Sequence, residues 1–397
     1  MRRQNTADKK LIKKINTNAI LNIIRSKELI SRADIAKELS LNPATVSSNV
    51  VDLLELGLIR EKGSGDSSGG RKPILLELDY DNVYVLGVHT ELTHVNIGLV
   101  DLRGKIITKK VFPYGVQSED NGEVILQKVI DGIDDVLNVT DIDKDKIIGI
   151  GVGLHGLVDT TLGESVFAPA FHWHHLAIKD LLYERYKMPI IVDNDVRVMA
   201  LGEKWFGNAK SCENFILINV GEGIGGALFI NGKLYAGKAF GAGEIGHIKV
   251  THQKIQCDCG NKGCLTTIAS EEAIVNSVKE LESNGIDGDV TLDKIIEAAI
   301  VGNEPVLDIL QRAGDYIGTG IGIIINIINP ETIILTGTVM KAEEFFLDNI
   351  IDGASSASII DNFDKTSIVV SKEVDLGVIG ASTLVLDDLF TLNGMSS

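Results

Sequence analysis

The stretch from Gly241 to Leu265 concentrates residue types that ligate metals. It reads Gly-Ala-Gly-Glu-Ile-Gly-His over 241–247 and then carries Cys257, Cys259 and Cys264, three of the chain's four cysteines. One imidazole (His247) and three thiolates at this density suit a tetrahedral zinc ion. We therefore expect a zinc loop over 247–264, with Gly260 and Gly263 letting the backbone turn tightly enough for Cys259 and Cys264 to reach one ion. Protein fills all four positions, so no water is held and the zinc is structural. The alternative is three reduced cysteines in a metal-free loop. A disulfide is disfavoured: Cys257 and Cys259 are too close in sequence, and with no signal-peptide pattern we expect a reducing compartment. Cys212 stands apart, beside Ser211 and Glu213, and reads as an unligated thiol.

A second group is Asp193-Asn194-Asp195. It ends an apolar strand, Ile190–Val192, and opens a helix over Val196–Trp205. Polar groups at the carboxyl ends of parallel strands line the ligand crevice of α/β sheets. Asp195 could accept a proton from a substrate hydroxyl or hydrogen-bond it. Asp193 reads better as a helix cap, and Asn194-Asp195 as ligand contacts. Glu244 and His247 could converge on the same crevice from the zinc loop.

The elements that must position these residues follow from length, charge and periodicity. A chain of 397 residues is expected to form two or three domains. Its net charge of −17 is uneven. Residues 1–75 hold 14 Lys+Arg against 8 Asp+Glu, a net of +6, and the remainder holds 24 against 47, a net of −23. A basic module on an acidic body can meet a polyanion through that module alone. No apolar run is long enough to span a bilayer; Ile321–Ile328 is short and interrupted. We expect a cytoplasmic protein with no membrane partner.

Residues 1–10 read as a mobile arm, and Leu11–Arg25 carries a helical apolar stripe. Ser31 caps a short helix over Arg32–Leu39, with Asp34 at the third position. Asn42 caps a second helix, Pro43 opens it and Gly57 ends it. Strands over Leu58–Glu61 and Ile74–Leu78 flank the loop Gly63–Lys72. Together these make a winged helix-turn-helix spanning residues 1–78. Ala44, Thr45, Ser47, Ser48 and Asn49 are small or polar and suit entry into a major groove, while Arg71 and Lys72 suit contact with phosphate or the minor groove.

From Tyr80 onward strands alternate with helices: strands over Val83–Val88, Val95–Asp101 and Lys105–Phe112, a helix over Glu123–Leu137 and a strand over Ile147–Gly153. A similar order begins near Glu213, with strands over Phe215–Asn219, Gly226–Ile230 and Lys233–Ala236 and an Asn231-Gly232 hairpin turn. A helix over Ala313–Ile328 then leads to the strand Thr332–Thr336. The fold class is α/β, with residues 79–397 forming two similar lobes about a cleft.

These residues together resemble the ROK family of repressors, open-reading-frame kinases and sugar kinases, and specifically its repressor branch. The resemblance covers nearly the whole chain. It rests on 151–159, on Asn194-Asp195 followed by 200–203, on 221–226, on 241–247 with the three cysteines, and on 328–331. The winged helix ending in Ser-Gly-Gly-Arg-Lys-Pro (68–73) marks the regulators. The resemblance implies an actin-like, hexokinase-like two-lobed fold. It implies zinc held by His247, Cys257, Cys259 and Cys264, and a sugar bound by Asn194, Asp195, Glu244 and His247. In the family's kinases the position of Asp195 is the catalytic base.

The departures from that pattern separate sensor from enzyme. Kinases of the family carry Asp-x-Gly-Gly-Thr after the first strand; here the positions are His89-Thr90-Glu91-Leu92-Thr93. The second phosphate loop is Gly221-Glu222-Gly223 where Gly-Thr-Gly is usual. Carboxylates and a branched side chain repel and obstruct phosphates that a glycine-rich loop must approach. Thr266 stands where a sugar-binding Glu is usual, and Arg197 where many relatives have a small or amide residue. Arg197 either narrows the pocket or pairs with Glu203 or Asp193. Trp173, in the His172–His175 cluster, either packs on a sugar or belongs to the core. The expected protein is a sugar-responsive transcriptional repressor of xylose-type carbohydrate genes. It binds a pseudo-palindromic operator as a homodimer or dimer of dimers and has no enzymatic activity. The competing expectation is a sugar kinase with an appended DNA-binding domain.

Overall fold

The computed structural model describes residues 2–64, 72–114, 121–283 and 285–391. The chain opens with helix α1 (Arg2–Lys27), followed by α2 (Arg32–Glu38) and α3 (Pro43–Glu55). The expected mobile arm is instead part of α1 from Arg2 onward. No Gly or Pro interrupts the chain there, and its Lys, Arg and Gln residues are good helix formers. The caps form as the sequence requires. Ser31 Oγ accepts from Asp34 N at 3.2 Å, and Asn42 Oδ1 accepts from Ala44 N at 2.8 Å. Asp34 answers through the hydroxyl, which donates to Oδ2 at 2.6 Å. Val46, Val50 and Leu53 of α3 are buried. The wing sheet has three strands, β1 (Ile30–Ser31), β2 (Ile59–Ser64) and β3 (Ile74–Leu78), in the antiparallel order β1-β3-β2. The two-residue β1 is too short to register as a periodic pattern.

The first lobe contains β4 (Tyr84–Thr90), β5 (His94–Asp101), β6 (Ile106–Pro113), α4 (Asn121–Val139) and β7 (Ile147–Leu154). A small sheet follows, formed by β8 (Leu157–Asp159), β9 (Glu164–Ala168) and β10 (Trp173–Leu176). Then come α5 (Ile178–Tyr186), β11 (Ile190–Asn194) and α6 (Asp195–Trp205). The second lobe is built on β12 (Phe215–Val220), β13 (Ile224–Ile230), β14 (Lys233–Tyr235), β15 (Thr332–Thr336) and β16 (Ser367–Val370). Its core helix, Glu304–Ile328, packs against Leu347–Ala357. Among the described residues, no helix is long and apolar enough to cross a membrane.

The two main sheets have one topology. Their orders are β11-β7-β4-β5-β6 and β14-β13-β12-β15-β16. In each, the first three strands form an antiparallel meander, and the fourth and fifth lie parallel to the first. Asn231 and Gly232 take φ values of +53° and +70°, the paired positive values a two-residue hairpin needs.

The helix Leu376–Phe390 joins the parts. It packs on α6, on β4 and β7, and on α1. Its contact with α6 is backbone to backbone: a Cβ on Gly380 would lie 1.9 Å from the carbonyl oxygen of Val198. Its last turn enters the core of the N-terminal head, where Val385, Leu386 and Phe390 meet Ile20, Leu21 and Ile24 of α1. Asn18 Nδ2 donates to Thr391 O and Asn22 Nδ2 to Phe390 O, both at 2.6 Å. The Arg25 guanidinium sits 4.0 Å from the Trp205 ring centre. Arg60 of the wing reaches Glu77, Asp79 and Asp81, which straddle the passage into the body. Head and body thus share a core.

Gly380→Ala is expected to destabilise the chain by about 3 kcal/mol, because the helices must separate or the backbone shift. A lowered midpoint in denaturant unfolding checks this, and an unchanged midpoint would mean that the crossing yields easily.

Candidate functional site

The carboxyl ends of the parallel strands β4, β7 and β11 lie together, where the ligand crevice of such a sheet forms. At or just beyond them stand His89–Thr93, His155 and Asp195. From the second lobe come Glu222, in the β12–β13 turn, and Glu244 with His247. Burial draws the His155 ring down, while the charges of Asp195, Glu222 and Glu244 raise it.

Asn194 is the N-cap of α6, a place the sequence reading had assigned to Asp193. Its Oδ1 accepts from Val196 N at 3.0 Å and Arg197 N at 3.1 Å. Its Nδ2 donates to Gly156 O at 2.9 Å and Asp195 Oδ1 at 2.6 Å. All four hydrogen-bonding positions of the amide are therefore used within the chain. Asn194 orients the loop and Asp195 instead of reaching outward. Asp193 is buried with Arg197: Nη2 donates to Oδ2 at 3.2 Å, and Nε lies 3.0 Å from Oδ1 but off line for a hydrogen bond. Burial pushes the Asp193 carboxyl up to about 6 against the opposing pull of Arg197. Arg197 thus belongs to this buried pair and not to the pocket wall. Trp173 is core, its Nε1 donating to Gly122 O at 2.9 Å.

The segments after β4 and β12 touch each other across the cleft. Thr93 Oγ1 donates to Glu222 Oε1 at 3.1 Å, first lobe to second. Behind this contact Glu91 is a hub. Its Oε1 accepts from Asn96 Nδ2 at 2.8 Å and lies 3.4 Å from both His89 Nδ1 and His94 Nε2. Burial raises the Glu91 carboxyl, but the two imidazoles outweigh it and hold the group well below the usual carboxylate range. Glu91 in turn raises His94. His89 is buried, with Nε2 unpartnered, and its ring abuts Gly377 at the start of the C-terminal helix. Thr266 Oγ1 lies near Gly223, in the β12–β13 turn.

His247, Cys257, Cys259 and Cys264 come together: their donor atoms all lie within 4.8 Å of one another. Cys257 Sγ is 3.5 Å from His247 Nδ1, and Cys259 Sγ is 3.7 Å from Cys264 Sγ. A tetrahedral cation with metal–sulfur bonds of about 2.3 Å and a metal–nitrogen bond of about 2.0 Å requires separations of roughly 3.5 Å and 3.8 Å. The cluster fits. Burial pushes the Cys264 thiol up to about 12, so the adjacent sulfurs ionise together only with a cation to hold them. Gly260 and Gly263 both take positive φ in the turns of this loop. Ile245 and Leu265 anchor its ends in the second-lobe core. His247 uses Nδ1 toward the sulfurs and leaves Nε2 3.8 Å from Glu244 Oε2. Cys212 stays apart, near Thr332. No second cluster of this kind, the His172–His175 stretch included, forms among the described residues.

On the head, Ala44 and Ser48 of α3 are exposed and Thr45 and Ser47 half-buried. Asn49 corrects the expectation for this helix. It is buried, its Nδ2 donates to Thr45 O at 2.7 Å, and its Oδ1 accepts from Thr17 Oγ1 at 2.5 Å. It packs α3 on α1 and is not presented to a groove. Lys72 is exposed, and Arg71 lies outside the described residues.

A winged helix-turn-helix head joined to a two-lobed actin-like body with a Cys3His loop defines a class of regulator. Residues 14–60 match a winged helix-turn-helix DNA-binding family, and residues 85–388 match the ROK family. The chain belongs to the ROK family. It is 31% identical over 391 residues to the xylose repressor of Caldicellulosiruptor bescii, covering 96% of this chain and 98% of that protein. It is 32% identical over 382 residues to the DNA-binding transcriptional dual regulator NagC of Escherichia coli K12, covering 94% and 93%. Among solved structures, a ROK family transcriptional regulator described as a homologue of the E. coli MLC protein superposes with a TM-score of 0.85 at 27% identity, covering 96% and 97%.

The Glu91–His94 pair has a pH signature. His94, raised by Glu91, adds stability below the ordinary histidine value of about 6.5, and this is lost as pH rises through its folded value. Glu91, depressed, adds stability that is lost only as pH falls toward its own low value. The destabilisation caused by Glu91→Gln should therefore be largest near pH 6 and shrink toward pH 9, read from denaturant midpoints. A constant difference would mean that the pair does not ionise together.

Proposed function

We propose that this chain is a sugar-responsive, DNA-binding transcriptional repressor of carbohydrate-utilisation genes, with its effector in the interlobe cleft. One observation carries the reading: α6 begins at Asp195 in the cleft and ends at Trp205 beneath Arg25 of the head. Between them the C-terminal helix lies in backbone contact with α6 and shares the core of the head. A sugar that moves Asp195 shifts a rigid rod whose far end seats α1. In a homodimer this alters the spacing of two heads on a pseudo-palindromic operator. Differential binding of about 1–3 kcal/mol between two states is enough. Ala44, Thr45, Ser47, Ser48 and Lys72 form the DNA-facing set.

Asp195, Glu244 and His247 contact the sugar, and Asn194 holds Asp195 in place. The metal of the Cys3His loop is zinc, and its role is structural. His247 Nδ1 and the three sulfurs would hold it, which steadies Glu244 and the free edge of His247 toward the cleft. Relatives named for xylose and for N-acetylglucosamine regulation make these two sugars the first effectors to test, xylose ahead.

Asp195, at the position of the kinase base, favours a second reading, a sugar kinase with a DNA-binding head. Glu91 and Glu222 oppose it: two carboxylates stand where polyphosphate would bind, and Glu222 is engaged across the cleft by Thr93.

Thermal denaturation of the full chain against a sugar panel, with and without Mg-ATP, tests the assignment. A sugar at 100 times its dissociation constant adds about 2.7 kcal/mol. Stabilisation by one free sugar and none by ATP is the expected result; stabilisation by Mg-ATP with turnover would bring the kinase reading forward. Elemental analysis should find one zinc per chain, lost in Cys259→Ser together with the sugar-induced shift. A variant that lacks zinc but responds normally to sugar would remove the structural role.

A further inference from the structure

Asp195 is already occupied in the structure. Its Oδ1 accepts from Asn194 Nδ2 at 2.6 Å and from Val196 N at 2.9 Å. Its Oδ2 lies 3.3 Å from His155 Nδ1. A hydroxyl arriving at Oδ2 meets the imidazole first.

His155 is held as a recognition group would be. It follows the end of β7, and its backbone N–H donates to Thr90 Oγ1 at 3.0 Å. That hydroxyl, fully buried, donates in turn to Gly153 O at 3.3 Å. The imidazole lies 5.6 Å from the ring of Phe171, a residue wholly inside the core. The ring is thus fixed on two sides and through its own backbone. About one third of the side chain remains exposed, at 32%. Nδ1 faces Asp195, and Nε2, on the opposite edge, has no partner among the described residues. An anchored imidazole with one engaged and one open nitrogen is the arrangement by which carboxylate–histidine pairs present a defined nitrogen to a ligand.

We propose that His155 is a ligand-contacting residue of the cleft, its Nε2–H donating to a hydroxyl or ring oxygen of a neutral sugar, while Asp195, which borders the same ligand, orients the ring through Nδ1. This rests on the reading of the cleft as the sugar site. The facing groups support the charged imidazole. Burial draws His155 down, but Asp195, across the Nδ1 contact, with Glu222 and Glu244 from the second lobe, reverses this and the net direction is upward. Thr90 and Phe171, which also contact His155, are uncharged. The same three carboxylates oppose a phosphorylated ligand, which narrows the effector to an uncharged polyol. The pairing also accounts for an aspartate at a kinase-like position without kinase chemistry. With Oδ2 against an imidazole and Oδ1 on two N–H donors, Asp195 is a partner for His155 and not a free base.

Isothermal titration of the full chain with D-xylose, D-glucose and N-acetyl-D-glucosamine, near pH 6.5 and near pH 9, tests this. Whichever sugar binds the wild-type chain should bind His155→Ala about tenfold or more weakly, and His155→Gln, which keeps a polar nitrogen, should recover part of the loss. Wild-type affinity should fall as pH rises through the His155 titration, and both variants should lose that dependence. Near-ultraviolet circular dichroism and zinc content serve as the fold control, and if His155→Ala fails it, the Gln variant and the pH profile decide. Binding by His155→Ala within about twofold of wild type, with the same pH slope, would overturn the assignment. Asp195→Ala separates this failure from a wider one. Loss of binding in Asp195→Ala with none in His155→Ala sinks only the role of His155. Normal binding in both, or no binding of any of the three sugars to the wild-type chain, sinks the sugar-site reading as well.

Discussion

The crossing of α6 and the C-terminal helix is the contact on which the rest depends. It is closer than side chains allow, with Gly380 against the Val198 carbonyl and Gly202 against Gly380. Two helices at this distance have no deformable layer between them, so they move as one body. The cleft, the first-lobe sheet and the head all touch that body. The cleft begins at its one end with Asp195, the first-lobe sheet lies along it through β4 and β7, and the head rests on its other end through Trp205 and Phe390. A protein that must report the state of a cleft to a distant DNA-binding helix needs such a rigid connection, or the signal is lost in side-chain rearrangement.

Across the cleft the two lobes are joined by side chains of this chain. Thr93 of the first lobe donates to Glu222 of the second, and the contact is backed by Glu91 and its two histidines. His89, at the root of that contact, presses on Gly377 at the start of the C-terminal helix. Lobe position and head position are thereby joined at both ends of one helix. The Cys3His loop is pinned to the second-lobe core by Ile245 and Leu265, and it sets Glu244 3.8 Å from the Nε2 edge of His247.

Much of this architecture was legible in the sequence because it is locally encoded. Capping residues, Pro at a helix start, an Asn-Gly hairpin turn and a Cys-x-Cys with two glycines act over a few residues, and each element appeared where its local chemistry called for it. The metal cluster was legible for the same reason: its ligands sit close in sequence and their types admit few other uses. The strand order common to the two lobes was foreshadowed only as a repeated succession of elements. The pairings that make it a duplication are made between distant strands, β4 with β7 and β12 with β15.

What the tertiary structure alone decided concerns residues whose role depends on partners far along the chain. Asn49 looks like a groove contact by type and position, yet Thr17 on α1 claims it. Asn194 takes the cap expected of Asp193, and Asp193 is consumed by Arg197, because the cap geometry and the burial of Arg197 are set by how β11 meets α6. His155 carried no signal of its own, since a histidine after a glycine-rich strand is uninformative until Asp195, forty residues later, is brought to its ring. The C-terminal helix, apolar on nearly every face, shows no amphipathic stripe by which to assign its neighbours. Sequence by itself determined most of the elements, the family and the Cys3His cluster, which depend on short-range stereochemistry and residue type. Which polar groups face the ligand and which are consumed by the fold was left to packing, because one polar side chain serves either role until its hydrogen-bond partners are in place.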